Sequence, residues 1–167
     1  MHINIRAMEA KDWEGVSKVY LEGIQTGRAT FQTQIPTWEE WDAGHVKSCR
    51  LVAVDGEGNV MGWAALSPVS SRCVYRGVGE VSVYVGNAFK KKGVAKLLLK
   101  TLIQSSEEEG YWTLQAGIFT TNLASLNLHQ SVGFKIVGIR ERIGKTVEGV
   151  WQDTALLERR SDIVGIE

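Results

Sequence analysis

A strand, a basic turn and a long helix follow one another between Glu80 and Gly110, and this unit constrains the fold more than any other stretch. Valines alternate with polar residues over residues 80–86, a period of two that predicts a strand. Leucines recur at helical spacing over residues 97–103, and Gly110 predicts the end of the helix. The first N–H groups of that helix follow three lysines at 90–92. Together with the helix dipole, these groups suit a phosphate or pyrophosphate; the alternative is an ordinary solvated helix start.

The sequence excludes two familiar phosphate-binding motifs. It contains no G-x-x-x-x-G-K-[ST] string and no G-x-G-x-x-G after an early strand. Neither a P-loop nor a Rossmann dinucleotide site is therefore supported, and a rarer strand–loop–helix site remains.

The remaining periodicities predict an α+β fold with the element order βααβββαβαββ. Thr37 and Glu40 have the spacing of a capping box, which predicts the start of the second helix. The predicted strands cover 2–6, 51–54, 60–67, 80–86, 112–119, 134–142 and 147–157, the last two joined around Gly144-Lys145. The other predicted helices run from 10 to about 27, from the residues after Ala95 to Gly110, and from 122 to 132. The second helix runs from 38 to about 47.

Length and charge limit the possible functions. A chain of 167 residues with 44% hydrophobic content fits one domain, residues 1–167. The formal net charge is zero, so no nucleic-acid or membrane-surface partner is expected. Cys49 and Cys73 have neither metal-ligand spacing nor a disulfide framework, and no apolar run is long enough for a transmembrane helix. With no signal-peptide pattern, we expect a cytoplasmic location.

At the basic turn, Lys90-x-x-Gly93-x-Ala95 resembles the [QR]-x-x-G-x-[GA] signature of the GNAT superfamily of acyl-CoA N-acyltransferases. Three further stretches are similar in order and spacing to phosphinothricin N-acetyltransferases. They are Arg72-x-x-Tyr75-Arg76-x-x-x-Glu80, Asn122-x-Ala-Ser-x-x-Leu128-His129-x-x-x-Gly133-Phe134, and Gly149-x-Trp151-x-Asp153. Ala29-Thr30-Phe31 extends the match over nearly the whole chain. Lys90, Lys91 and Ala95 depart from the residues usual at their places, which contacts made by backbone amides tolerate.

This resemblance implies the GNAT fold, with a mixed, mostly antiparallel central sheet, helices on both faces and a splayed central strand pair. It implies acetyl-CoA as co-substrate, no metal, a small-molecule amine as acceptor, and a homodimer. The residues implied in cofactor binding are Val83, Tyr84, Val85, Lys90, Lys91, Lys92, Gly93, Val94, Ala95, Lys96, Asn122 and Ser125.

Amine acetylation by a thioester needs a base for the amine and a proton for the leaving thiolate. Glu80 is the best candidate base because it interrupts a run of valines on the central strand. Its alternative roles are a carboxylate at the solvent end of the strand or a structural ion pair with Arg72 or Arg76. His129 stands where many family members have a tyrosine acid, and it could transfer a proton or orient the cofactor.

The substrate-side candidates depend on the resemblance more than on the residues alone. Arg72, Tyr75 and Arg76 offer bidentate recognition of a carboxylate or phosphinate; the alternative is an exposed basic loop. Phe31 corresponds to an aromatic wall over a small side chain, or else to a hydrophobic plug. Asn122 is well suited to N-cap its helix, and the resemblance adds a contact with the cofactor.

We therefore expect an acetyl-CoA-dependent N-acetyltransferase that acts on the α-amine of a small amino acid or analogue of the phosphinothricin, methionine sulfoximine or methionine sulfone type. A peptide N-terminus or a polyamine is an alternative acceptor, which a wide, acidic groove would favour. A non-catalytic acyl-CoA-binding sensor is the alternative outside enzymes.

Overall fold

A computed structural model describes residues 1–167 and builds residues 4–160 around one seven-stranded sheet with the strand order β1-β2-β3-β4-β5-β7-β6. The β4–β5 pair is parallel and all other pairs are antiparallel. The strands are β1 Asn4–Ala7, β2 Arg50–Val54, β3 Val60–Pro68, β4 Val78–Val85, β5 Thr113–Phe119, β6 Lys135–Lys145 and β7 Trp151–Arg160. The helices are α1 Trp13–Gln25, α2 Trp38–Gly44, α3 Val94–Glu108 and α4 Leu123–Ser131. The predicted α+β class and element order are confirmed.

The helices cover both faces of the sheet. Leu98, Leu99 and Leu102 of α3 are fully buried in a core that joins β2–β5 and β7. On the other face, Trp41 of α2 and Trp63 of β3 lie in a second core with residues of α1. Because β-strand side chains alternate between faces, Val81, Val83 and Val85 of β4 lie against the α3 core, and Tyr84 between them packs in the core on the α1 side.

The capping box forms as predicted, but its helix is shorter. The Thr37 hydroxyl accepts from the Glu40 N–H at 3.2 Å, and the Glu40 carboxylate accepts from the Thr37 N–H at 3.1 Å. The helix ends at Gly44 because His45 is extended and its Nδ1 bonds the Trp41 carbonyl at 2.6 Å. The hydrophobic pattern of the sequence does not reveal this side-chain hydrogen bond, which takes the carbonyl that a longer helix would use.

The closing hairpin turns later than predicted. The turn lies at residues 146–149, where the Gly149 N–H donates to the Thr146 carbonyl at 2.9 Å and Gly149 has a φ of +86°. Gly144 belongs to β6 instead, and a Cβ built on it would come within 2.7 Å of the Phe31 ring. Close approach of an aromatic side chain, and not a turn, therefore requires glycine at this position.

None of the four helices combines the length and the apolar character that a membrane span requires.

Candidate active site

The loop between β4 and α3 presents backbone N–H groups and exposed lysines. Gly93 precedes the helix with a φ of +82°, a left-handed conformation that suits glycine. The first helical hydrogen bond runs from the Leu97 N–H to the Gly93 carbonyl at 3.1 Å, and no side chain caps this end. The N–H groups of residues 94–96 therefore have no intrahelical acceptor. The predicted phosphate-binding residues, Lys90 through Lys96, all lie in this loop and first turn.

The backbone gives a physical reason for one departure from the family pattern. Lys91 has a φ of +62°, one of two non-glycine residues with a positive φ. Glycine adopts this region readily, whereas a residue with a Cβ is strained there by roughly 1–2 kcal/mol. Glycine is common at this place because the loop needs a left-handed residue, and Lys91 adopts that conformation at a cost.

The parallel pair β4–β5 separates after only three residue pairs, from Val78 opposite Thr113 to Glu80 opposite Gln115. Beyond this point β4 pairs only with β3, and β5 pairs only with β7. The facing edges of residues 82–85 and 116–119 thus carry main-chain groups that no neighbouring strand satisfies. An extended polar chain lying between them could pair as a strand does. The predicted cofactor contacts Val83, Tyr84 and Val85 line this opening.

Glu80 lies where the two strands separate, and it is half-buried. Its Oε1 accepts a hydrogen bond from Gln115 Nε2 at 3.0 Å. The ion pairs of the protein involve other carboxylates. The alternative of a structural bridge from Glu80 to Arg72 or Arg76 is therefore not found.

His129 is 4% exposed and packs edge-to-face on Phe134, with ring centroids 5.2 Å apart. Its Nδ1 lies 2.7 Å from the Ser125 carbonyl oxygen, so Nδ1 carries the proton that is donated there. Burial lowers the pKa of this imidazole, and the hydrogen bond to Ser125 opposes that shift only in part. The ring is therefore neutral at pH 7, with a lone pair on Nε2.

Asn122 joins the start of α4 to a distant loop. Its side-chain oxygen accepts from the Ser125 N–H at 3.2 Å, which is the predicted N-cap. Its Nδ2 donates to the Arg28 carbonyl at 3.4 Å. The segment that carries the predicted substrate contact at position 31 is thereby held near β5.

Phe31 lies over the open end of β5. Its ring contacts Phe119 edge-to-face at 4.7 Å between centroids and covers Gly144, yet 39% of the residue stays exposed. Nearby, Tyr84 stacks on Trp63 at 5.0 Å, and burial raises the pKa of its phenol far above neutrality. Both a wall and a plug are compatible with this position of Phe31.

The three predicted substrate contacts before β4 are exposed, and their side chains do not surround Glu80. They are Arg72, Tyr75 and Arg76. The Arg72 guanidinium lies over the Tyr75 ring at 5.6 Å, and the Arg76 guanidinium lies over Trp112 at 5.6 Å. Arg76 also lines a surface hollow of about 500 Å³ whose lining residues do not include Glu80. Neither guanidinium has a carboxylate partner, so both can bind an anionic ligand.

Two residues at this site were not found from the sequence alone. Gln115 contacts Glu80, and Phe119 contacts Phe31. Neither belongs to a motif, and only the register between β4 and β5 brings Gln115 beside the carboxylate. No group of three or more His, Cys, Asp or Glu side chains is arranged to hold a metal ion.

The half-buried His45 and the buried His129 should make the free energy of unfolding fall below neutral pH. Burial lowers the pKa of both His45 and His129, so the unfolded chain binds protons at a pH where the native chain does not. Stability is therefore full above the unfolded value of about 6.5 and declines as the pH falls toward the lowered native values. We expect urea denaturation at pH 7.5, 6.5 and 5.5 to show this loss, at no more than about 1.4 kcal/mol per pH unit for each histidine.

His129→Gln should reduce the dependence on pH, whereas His2→Gln at the exposed N-terminus should not. An unchanged slope in the His129 variant would contradict the neutral assignment.

This chain is similar to known proteins both in sequence and in structure. A family model described as an acetyltransferase (GNAT) domain matches residues 5–156. An L-methionine sulfoximine/L-methionine sulfone acetyltransferase from Pseudomonas aeruginosa is 34% identical, over 97% of this chain and 96% of its own. A phosphinothricin N-acetyltransferase from Streptomyces coelicolor is 30% identical, over 94% and 95%. The crystal structure of a GNAT superfamily phosphinothricin acetyltransferase from Sinorhizobium meliloti in complex with acetyl-CoA superposes with a TM-score of 0.85 at 27% identity, covering 99% of this chain and 97% of that one.

Proposed function

Because the chain belongs to the GNAT family of acetyltransferases, we propose that it transfers the acetyl group of acetyl-CoA to the α-amine of a small amino acid or analogue. The leading acceptors are of the phosphinothricin and methionine sulfoximine type, as named for the relatives. The observation that carries the proposal is the opening between β4 and β5, which has Glu80 at its closed end. A cytoplasmic location, where free acetyl-CoA is available, is part of the same proposal.

The residues present fit acetyl-CoA. Free N–H groups at the start of α3 and the exposed lysines suit the pyrophosphate and the 3′-phosphate. From Val85 back to Glu80 the strand edge spans about 17 Å, which gives the pantetheine arm an extended polar path. Asn122 and Ser125 lie at the start of α4 and would contact the acetyl end. When bound, acetyl-CoA supplies the thioester that the amine attacks.

In this mechanism the chain removes one proton from the amine and stabilises charge on the thioester carbonyl. Glu80 accepts the ammonium proton, directly or through one water, because its Oε2 has no partner in the protein. A main-chain N–H on the open edge of β4 polarises the carbonyl. His129 orients the cofactor end: its Nδ1–H is held by the Ser125 carbonyl and its ring is neutral, so Nε2 has no proton to give. The second proton that the nitrogen loses as the amide forms then passes through water to the leaving thiolate.

The acceptor would approach from the sheet face that carries Glu80 and Tyr84. Arg72 and Arg76 have no carboxylate partner, and after turning from the Tyr75 and Trp112 rings over which they lie they would pair with the acceptor's carboxylate. Tyr75 and Phe31 would bound its side chain. This arrangement favours an anionic amino acid over a polyamine, whose cationic amines the arginines repel.

A homodimer through β6 is the proposed assembly. β6 is an edge strand of 11 residues on which Ile136, Val137, Ile139 and Ile143 are each 44–54% exposed. A long apolar edge of this kind is a pairing surface, so a second copy is the expected occupant. Light scattering should give twice the 18.5 kDa chain mass, with Ile139→Lys shifted to monomer and the control Leu21→Lys on α1 unchanged. A monomeric wild type would contradict the assembly.

The test of the activity is release of free thiol from acetyl-CoA with phosphinothricin, methionine sulfoximine, methionine sulfone, a polyamine and a short peptide. Turnover on the first three supports the proposal. Turnover confined to the peptide or polyamine would overturn the acceptor class and leave the family. Binding of acetyl-CoA without turnover on any acceptor would favour the sensor.

A further inference from the structure

Gln115 is the only side chain that hydrogen-bonds to Glu80. The Nε2 to Oε1 distance is 3.0 Å, and the contact is partly buried. The two residues are the last parallel pair before β4 and β5 separate. The amide therefore lies at the closed end of the opening, beside the carboxylate that the proposed function makes the base.

The contact involves one carboxylate oxygen and leaves the other without a protein partner. Because a carboxylate can only accept, the amide must present its N–H groups while Glu80 is charged. After Glu80 takes up a proton, the same amide can turn and accept through its oxygen. A glutamine can thus donate to the charged form of Glu80 and accept the O–H of its protonated form, whereas a lysine has no acceptor and a carboxylate has no donor.

Few other charged groups face Glu80. The strand registers set Ser67, Glu80, Gln115, Glu158 and Lys135 in one row across the sheet, on the same face. Glu158 lies two strands from Glu80, and Lys135 lies one strand further. Arg72 and Arg76 in the preceding turn form no ion pair with it, and Tyr84 of the same strand is uncharged.

We propose that Gln115 is the positioning residue of the general base: it fixes the Glu80 carboxylate toward the opening and stabilises its charged form. The inference rests on the proposed function, because it has meaning only if Glu80 removes the amine proton. It adds a residue that no sequence motif marks.

The test compares kcat and KM across pH for wild type, Gln115→Met and Gln115→Glu. Methionine keeps the length of the side chain and removes the donor. We expect kcat to fall about 10- to 150-fold, the range that loss of one hydrogen bond to a charged group permits, with KM for both substrates within about twofold. The ascending limb of the kcat profile should move to higher pH, because the charged carboxylate loses its donor.

Gln115→Glu should move the ascending limb further in the same direction, because two adjacent carboxylates share a proton. Ser67→Ala is the matched control: Ser67 neighbours Glu80 on the other side and makes no hydrogen bond to it, so its profile should equal that of wild type.

The Glu80→Gln background separates the two claims. If Gln115 acts through Glu80, Gln115→Met should have no further effect on kcat in that background. An equal loss in both backgrounds, or an unshifted profile in a folded Gln115→Met protein, would overturn the positioning role while leaving Glu80 as the base. Unchanged turnover in Glu80→Gln itself would instead overturn the base assignment, and the positioning role with it.

Discussion

Glu80→Gln is expected to lower kcat about 10²- to 10⁴-fold at neutral pH, the usual contribution of a positioned general base. Glutamine keeps the shape of the side chain and can still bond Gln115, so the fold and the affinity for acetyl-CoA should change little. Steady-state kinetics of thiol release, together with calorimetric titration of acetyl-CoA, separates loss of chemistry from loss of binding.

Glu158→Gln is the matched control for this substitution. It makes the same chemical change on the same face of the sheet, two strands away from Glu80. Its kcat should stay within about twofold of wild type. If Glu80→Gln kept more than half of the activity, or if both variants lost activity equally, Glu80 would not be the base.

The second large effect is expected at the proposed phosphate-binding loop between β4 and α3, from Gly93→Val. A β-branched residue at a φ of +82° is strained by roughly 1–3 kcal/mol, although the position itself is open to solvent. If the backbone at this position relaxed to relieve the strain, the N–H groups of residues 94–96 would no longer point toward one common anion site. The KM for acetyl-CoA should therefore rise about 10- to 100-fold, while kcat at saturating cofactor changes much less.

Gly93→Asn provides the comparison, since asparagine tolerates the left-handed region better than other residues with a Cβ. Its KM should lie close to that of wild type, and Lys91→Gly should match or improve on wild type by relieving the second strained residue. Equal acetyl-CoA binding by Gly93→Val and wild type would show that these amides do not hold the cofactor.

Local signals in the sequence were enough for most of the fold. The capping box at Thr37 and Glu40 formed as expected, and Gly110 and Gly133, both with positive φ, follow the ends of α3 and α4. These features depend on residues within one turn of each other, so the sequence expresses them directly.

Features that depend on distant residues were missed. The local sequence predicts a turn at Gly144, and it cannot show the contact with Phe31, because that contact joins residues more than a hundred positions apart. Gln115 had no local pattern, since its role follows from strand register. The position of Arg76 over Trp112 likewise depends on where β5 begins. Tertiary contacts, not local propensity, decide these positions.

The short parallel ladder between β4 and β5 also has a mechanical consequence. Only three residue pairs join β4 to β5. The sheet therefore divides into two parts, β1–β4 and β5–β7, with little backbone hydrogen bonding between them. The apolar core beneath includes Leu98, Leu99 and Leu102 of α3 together with residues of β2–β5 and β7, so it spans both parts of the sheet. We therefore expect the width of the opening between β4 and β5 to depend on this buried packing, at positions remote from the proposed base.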